Sequence, residues 1–282
     1  MNCFVKAIAN EGRITYKMEK INYFVEGLQG AGKTSLLRQL SAHLSNYKTF
    51  FEGEYSPVEL AWCAYVTEEQ YQNVLSDYPS LRTEIKEKTV AEGEHKIICY
   101  TKILTDIPDF HRKLERFEIY NGNLDRESFE NIILERFRRW DGERQIFECS
   151  IFQNIIENQM LYFRMKEQEI LDFYRKLEHT LANKPYRIIY LDVEDIPETI
   201  QVIRKERSDE NGNELWFPLM IQYLEQSPYG REHHLTGLEG LLRHLEKRKA
   251  LECQIINRIF KEKSIVVKAK NYVLDDIVPL LA

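Results

Sequence analysis

The most constraining feature of the chain is the segment 27–34, which reads Gly-Leu-Gln-Gly-Ala-Gly-Lys-Thr and fits the pattern G-x-x-x-x-G-K-[ST]. An apolar run at 21–25 leads into the first glycine, and an amphipathic run at 35–44 follows the threonine. Strand, glycine loop and helix, in this order, are the context that the motif requires. The pattern therefore predicts a phosphate-binding loop (P-loop) at the end of a buried strand.

The residue types of this loop match the chemistry of phosphate binding. Glycines let successive backbone N–H groups curl around a phosphate oxygen without Cβ clashes, and the following helix directs its positive end at the same anion. We expect Lys33 to place its charge on the β- and γ-phosphates of ATP, and Thr34 its hydroxyl on Mg²⁺. The predicted nucleotide-binding residues are Gly27, Gly30, Ala31, Gly32, Lys33, Thr34 and Ser35.

Composition favours a globular protein and argues against two classes of partner. The chain has 282 residues, of which 43% are hydrophobic and 30% are charged, so a packed core is expected. The formal net charge of −6 argues against a nucleic-acid binder, which usually presents a net basic surface. No apolar stretch reaches the ~18 residues of a transmembrane helix, so no membrane partner is expected.

The cysteines and the N-terminal sequence predict the compartment. The five cysteines are scattered and include no C-x-x-C pair. The first residues lack the apolar core of a signal peptide. We therefore expect reduced thiols and a cytoplasmic protein.

Five apolar runs are typical of strands, at 21–25, 48–54, 144–148, 186–193 and 264–269. Helical patterns separate them, with long helices expected at about 151–182 and 236–262. This alternation predicts the α/β class: a three-layer sandwich around a mainly parallel five-stranded sheet.

Two segments lie outside this predicted core. Residues 1–17 are expected to form an N-terminal extension or an edge hairpin around Asn10-Glu11-Gly12, so that the P-loop domain covers 18–282. Residues 58–140 are too long for a simple crossover between strands. Because they are rich in aromatic residues and mostly helical in pattern, we interpret them as a large helical insertion.

The segment 23–35 resembles thymidylate kinases and, slightly less, deoxynucleoside kinases, which carry an acidic residue, here Glu26, before the first glycine. Further similarities keep the same chain order. The stretch 190–198 resembles the fourth strand of these kinases, and 203–207 resembles their arginine-bearing lid. The stretch 54–58 with Trp62 is similar to a Glu-Pro-Val…Trp segment, and 148–150 stands where these enzymes carry Glu-Arg-Ser. The resemblance covers the sheet core, roughly half of the chain.

This resemblance implies an ATP- and Mg²⁺-dependent phosphotransferase whose partner is a small-molecule acceptor: a nucleoside, a nucleotide or a similar hydroxyl or phosphate compound. It also implies the strand order 2-3-1-4-5 within the parallel sheet. Two departures concern the acceptor. Cys149 stands where an arginine is expected, and the insertion at 58–140 has no counterpart in these families.

Carboxylates at strand ends are the predicted metal ligand and base. Glu148, which ends the third strand, is the first choice for Mg²⁺ beside Thr34, and Asp192 is the second. Glu52 and Glu54 lie at the carboxyl end of the second strand, the edge at which open α/β sheets bind ligands. Strand alternation would aim both glutamates in one direction, as candidates for the base that serves the acceptor; the alternative is a pair of solvated loop acids.

Two arginines are the predicted lid residues. Arg204 and Arg207 lie three positions apart on one helix face and precede the polar loop 208–214, for which we predict mobility without ligand. They are expected to close on the transferring phosphoryl group. The alternative is a solvated basic helix face.

A second class of function stays open. A P-loop NTPase with a regulatory or switch role would share the loop and use hydrolysis to drive a conformational change. The Asn-Lys-x-Asp motif of GTPases is absent from the sequence, and Asp275-Asp276 follows no motor-type strand. A homodimer is compatible with the sequence, which does not fix the oligomeric state.

Overall fold

The computed structural model describes residues 9–10, 13–14, 20–214 and 216–281. The strands of these residues are, in chain order, β1 (Ala9–Asn10), β2 (Arg13–Ile14), β3 (Asn22–Gly27), β4 (Lys48–Phe50), β5 (Ala64–Thr67), β6 (Thr89–Glu92), β7 (His95–Ile98), β8 (Gln145–Glu148), β9 (Tyr186–Asp192) and β10 (Ser264–Lys268). The α-helices are α1 (Lys33–His43), α2 (Glu68–Asp77), α3 (Arg82–Glu87), α4 (Phe110–Glu115), α5 (Arg126–Arg139), α6 (Gln153–Glu157), α7 (Glu167–Leu181), α8 (Ile196–Glu206), α9 (Trp216–Gln226), α10 (Pro228–Glu232), α11 (Gly237–Ile255) and α12 (Leu274–Ile277).

A parallel sheet of five strands forms the centre of the protein, in the order β10-β9-β3-β8-β4. The sheet begins its chain path at β3, so its five strands, numbered along the chain by themselves, lie in the order 2-3-1-4-5 from β4 to β10. Numbering all strands gives different figures, because the pair β1–β2 precedes this sheet and β5–β7 interrupt it. The strand that carries the P-loop is therefore central.

Helices cover both faces of this sheet, because its strands carry apolar side chains on both sides. Tyr23 and Val25 of β3 face a cluster that includes α1, α8 and the first half of α11. Phe24, between them, faces a second cluster with α5, α7 and the last turn of α11. Every residue of β3 is buried. The arrangement has three layers, and none of the described helices is long and apolar enough to cross a bilayer.

The segment 58–140 differs from the helical insertion that its sequence predicts. It contains a three-stranded antiparallel sheet in the order β5-β7-β6, in addition to α2–α5. Its strands have only four residues each, and their apolar positions are too few to show a strand period. Gly93, with φ of +60°, forms the hairpin turn between β6 and β7. This sheet has its own apolar cluster, whereas α5 packs on the central sheet.

The long helix predicted at 151–182 is interrupted. The α6 helix ends in a π-helical turn, Asn158–Tyr162, and α7 begins only at Glu167. Arg164 lies between them with φ of +51°, which a continuous helix does not allow. The helix predicted at 236–262 is α11, which ends in a second π-helical turn, Ile256–Phe260.

The pair β1–β2 is antiparallel and separate from the other sheets, with Ala9 opposite Ile14 and Asn10 opposite Arg13. The rest of the predicted extension 1–17 lies outside the described residues.

Buried ionic groups tie α6 to α11. Arg248 is fully buried, donates to Glu157 and lies with its Nε 3.0 Å from Oε1 of Glu252. Nε2 of His244 lies 2.6 Å from Oε2 of Glu157. Burial alone would raise the pKa of Glu157, but His244 and Arg248 outweigh it and lower that pKa to about 2. The C-terminal end of α6 is therefore held firmly against α11, one helical turn from Gln153.

Candidate active site

The P-loop follows β3 and requires glycine at defined positions. Gly27 has φ of +142°, and a Cβ there would lie 2.7 Å from the carbonyl oxygen of Leu191. Gly30 has φ of +80°, and a Cβ there would lie 2.8 Å from Cγ2 of Thr199. Side chains at these positions would clash with β9 and α8, so the loop can lie close to both elements only because it is made of glycine.

The first turn of α1 is open for an anion. Its N-cap residue is Gly32, with φ of +91°, and no side chain caps the turn. The first N–H groups of a helix have no partner within the helix, and they carry the positive end of its dipole. An uncapped helix start behind a glycine loop has the chemistry that suits an anion such as phosphate.

The ammonium group of Lys33 is buried and points into the loop. It donates to the carbonyl oxygens of Gly27 and Leu28, each at 2.8 Å, and to Oε1 of Gln153 at 2.9 Å. These three bonds use all three protons of the group. A phosphate that recruits this lysine must replace at least one of them.

The predicted metal ligands separate into a pair and an outlier. The hydroxyl of Thr34 donates to Oε1 of Glu148, and the backbone N–H of Glu52 donates to its Oε2 at 3.2 Å. Asp192 instead forms an ion pair with Lys249 at 2.8 Å and does not line the cleft. Only Thr34 and Glu148 are therefore brought together beside the loop.

The two predicted base candidates have different environments. Strand β4 ends at Phe50, and a turn with Gly53 at φ of +80° follows, so strand alternation does not apply to Glu52 and Glu54. The prediction that both side chains point in one direction is wrong. Glu52 lines the cleft, whereas Glu54 is exposed outside it.

Three N–H groups hold the carboxylate of Glu52. Its Oε1 accepts from Nε2 of Gln153 at 3.0 Å, Nδ2 of Asn154 at 3.2 Å and Nε1 of Trp62 at 3.1 Å. Gln153 therefore contacts Lys33 with its oxygen and Glu52 with its nitrogen. One amide side chain joins the P-loop lysine to the carboxylate opposite it.

The two lid arginines also differ. Arg204 forms two bonds of 3.0 Å to the carboxylate of Glu214, and its guanidinium lies 4.1 Å from the ring centre of Phe217. Arg207 lines the cleft and lies 5.0 Å from the ring centre of Trp216. Arg204 is thus bound to α9 and its preceding loop, whereas Arg207 lines the cleft. Mobility of 208–214 stays a prediction.

A single cleft of about 630 Å³ is lined by the P-loop, Glu52, Glu148 and Arg207. Its two sides differ in chemistry. Towards β4 and β8 it presents Glu52, Trp62, Glu148 and Gln153. Towards β9 and β10 it presents mainly cationic, apolar and aromatic side chains, together with one carboxylate, Glu206: Ile203, Glu206, Arg207, Trp216, Met220, Lys270 and Tyr272.

Sequence reasoning did not identify Gln153, Trp216, Met220, Lys270 or Tyr272 as site residues. Lys270 and Tyr272 directly follow β10, so the rule that ligands bind at the carboxyl ends of parallel strands would have found them. Gln153 lies within the long helix expected at 151–182, where nothing distinguished it from its neighbours. Trp216 belongs to no motif and follows no strand.

A buried carboxylate supports the segment that carries Gln153. Glu26 of β3 accepts from the backbone N–H of Ile151 at 2.7 Å and of Phe152 at 3.2 Å. Burial raises its pKa to about 7. Cys149, in the position of the expected arginine, is itself buried, with φ of +55°, and does not line the cleft.

No family model and no curated protein matches the chain. Among solved structures, EHV4-TK complexed with TP4A is 10% identical with a TM-score of 0.27, over 93% of this chain and 90% of that chain. The PezAT chromosomal toxin–antitoxin system of Streptococcus pneumoniae is 14% identical with a TM-score of 0.25, over 84% and 87%. Both similarities are too weak to support an argument, so the function is inferred from the cleft alone.

The raised pKa of Glu26 makes stability depend on pH. Between its unfolded pKa of 4.5 and its folded pKa of about 7, the folded state holds a proton that the unfolded state has lost. Stability from this group is therefore complete below pH 4.5 and lost as pH rises towards 7. Replacing Glu26→Gln should flatten the fall in the free energy of unfolding over this range, by up to about 1.4 kcal/mol per pH unit.

Urea unfolding of wild type and variant at pH 5, 6, 7 and 8 measures this effect. The exposed Glu54→Gln variant is the matched control and should follow the wild-type profile. Parallel profiles for wild type and Glu26→Gln would contradict a protonated buried carboxyl at this position.

Proposed function

We propose that the protein is an ATP-dependent phosphotransferase that phosphorylates a hydroxyl group of a small, uncharged acceptor. The observation that carries this proposal is the bridge formed by Gln153. The P-loop lysine and a firmly held carboxylate, Glu52, bind the two ends of this one amide group and line the same cleft. A phosphoryl donor site and a proton acceptor in one cleft are the two elements that such a transfer needs.

Mg²⁺ fits the residues beside the loop. Thr34 and Glu148 meet there through a direct hydrogen bond, and hydroxyl and carboxylate oxygens suit this ion. Among the described residues no group of three or more His, Cys, Asp or Glu side chains could hold a metal ion by itself. When bound, Mg²⁺ would neutralise charge on the donor phosphates.

Glu52 is the proposed general base. Oε1 accepts all three of the hydrogen bonds described for this side chain, and none of the three involves Oε2. The bonds fix the orientation of the carboxylate, so that Oε2 can accept the proton of an acceptor hydroxyl as the oxygen attacks. Arg207, free of the carboxylate that holds Arg204, is the proposed partner of the transferring phosphoryl group.

Charge in the cleft favours an uncharged acceptor. The cations of its lining are Lys33, at the loop, and Arg207 and Lys270, on the side of β9 and β10. The side of β4 and β8 contributes the carboxylates of Glu52 and Glu148. Bound Mg²⁺ would offset the charge of Glu148, but a phosphate monoester placed beside Glu52 would still meet like charge, which disfavours it. A nucleoside, a sugar or another neutral alcohol would not.

An acceptor panel tests this proposal. Purified protein is incubated with γ-labelled ATP and Mg²⁺ and with nucleosides, sugars and nucleoside monophosphates, and labelled products are separated. We expect label on a neutral hydroxyl compound and none on the monophosphates. Transfer to monophosphates alone would overturn the charge argument. Release of labelled phosphate at the same rate with every acceptor would instead support the NTPase alternative.

The two glutamates of the turn after β4 form a matched pair. Glu52→Gln removes the proposed base and should lower kcat about 10²–10⁴-fold with the acceptor found above, while ATP affinity stays near that of wild type. Glu54→Gln changes an exposed carboxylate of the same turn and should leave kcat unchanged. Single-turnover rates measure both. Equal rates for Glu52→Gln and wild type would remove Glu52 from the mechanism.

A further inference from the structure

Two buried cysteines lie side by side near the acceptor end of the cleft. The sulfur atoms of Cys63 and Cys99 are 3.7 Å apart. Cys63 is fully buried, and 6% of Cys99 is exposed. The proposed phosphotransferase mechanism uses neither thiol.

The strand register places these residues directly opposite each other. The last pair of the β5–β7 ladder is Ala64 with Ile98, and extending this antiparallel register by one residue sets Cys63 opposite Cys99. The backbone N–H of Cys99 donates to the carbonyl oxygen of Lys88 at 2.9 Å, and the backbone N–H of Cys63 donates to that of Leu60 at 3.1 Å. Neither backbone N–H therefore donates to the other cysteine. Opposite residues that exchange no ladder bonds have Cα atoms about 4.5 Å apart. That separation lies within the range that a disulfide spans.

We propose that Cys63 and Cys99 are a site of reversible oxidation, at which a peroxide converts the two thiols into a disulfide. In the first step the Cys99 thiolate attacks one peroxide oxygen, the O–O bond breaks, and Cys99 becomes a sulfenic acid as hydroxide leaves. In the second step the Cys63 sulfur attacks the Cys99 sulfur. The S–O bond breaks, the Cys63 proton and the leaving hydroxide form water, and the S–S bond closes.

The surroundings assign the two roles. The hydrogen bond from the Cys63 thiol lowers the pKa of Cys99, whereas the same contact, together with burial, raises the pKa of Cys63. Cys99 is also the one of the two with exposed surface, so a peroxide reaches it first, and its thiolate is the attacking nucleophile. Its small exposed fraction suits an oxidant as small as hydrogen peroxide, and the neighbouring Cys63 resolves the sulfenic acid before further oxidation.

Closure of the bond would act on Trp62. This residue precedes Cys63, has φ of +64° and is 44% exposed. A bulky residue in this conformation is held there by its surroundings. The two sulfur atoms must approach from 3.7 Å to ~2.05 Å. The backbone of Cys63 would move with its sulfur and would shift the adjacent Trp62, whose indole donates to Glu52. The effect on Glu52 rests on the proposed function; the disulfide itself does not.

Peptide mapping of the folded protein tests the disulfide. Reduced wild type is treated with hydrogen peroxide, alkylated, digested with trypsin without reductant and analysed by mass spectrometry. The peptides 49–82 and 97–102 should appear linked, two hydrogens lighter than their sum, and should separate after dithiothreitol. The Cys149→Ser variant removes another buried cysteine, whose sulfur makes no hydrogen bond to a sulfur of the described residues, and should link as wild type does. Cys253→Ser, which removes a more exposed thiol, should also link.

Two outcomes would overturn the proposal. One is the absence of the 63–99 link while alkylation shows both thiols unchanged. The other is a sulfinic acid at Cys99 in wild type, which would mean that Cys63 does not resolve it. A fluorescence change on oxidation in wild type that is absent in Trp62→Phe would support the movement of Trp62. An equal change in both proteins would refute it.

Discussion

The ammonium group of Lys33 has three protons, and the fold supplies one acceptor for each: two carbonyl oxygens of the P-loop and the amide oxygen of Gln153. Because the group is buried, these bonds replace water and fix the lysine inside the loop. Under the proposed function, a phosphate would compete with these acceptors for the same protons. If Gln153 is the acceptor that yields, its amide becomes free to reorient, and Glu52 loses one of its three donors. Donor and acceptor sites would then be coupled through one side chain.

The position of Gln153 depends on both ends of a helix of only five residues. At the start of α6, the buried carboxyl of Glu26 holds the preceding backbone. At its end, Glu157 is bound to Arg248, which is itself fully buried. A short helix has little stability of its own. Its precise placement is therefore a property of the buried polar groups around it. Removing Glu157 or Arg248 alone would leave the charge of the other buried without that partner.

Local sequence carried enough information to predict the P-loop and the strands of the central sheet. The loop motif requires backbone conformations that favour glycine. An unbroken apolar run such as β9 is typical of a parallel strand that is buried on both faces. The antiparallel sheet within 58–140 could not be predicted, because strands of four mixed residues carry no clear period. The break after α6 depends on the positive φ of Arg164, and no local sequence pattern predicts a positive φ at this arginine.

A site residue could be predicted only where a suitable side chain also stands in a motif or at the end of a strand. Thr34 and Glu148 follow from the motif and from a strand end, and they do meet. Glu52 and Glu54 are equivalent in sequence, and only the turn at Gly53 separates their environments. Arg204 and Arg207 are likewise equivalent on a helix, and Glu214, ten residues beyond Arg204, decides between them. These distinctions arise from tertiary contacts that the chain pattern does not contain.

The claim on which this account depends is that the P-loop binds a nucleotide through Lys33. Calorimetric titration with ATP and Mg²⁺ tests it most directly, on wild type and on Lys33→Met, with thermal melts to show that both are folded. The account predicts saturable binding in wild type and a loss of affinity of about tenfold or more in the variant. No binding at millimolar ATP, or equal affinity in both proteins, would contradict it.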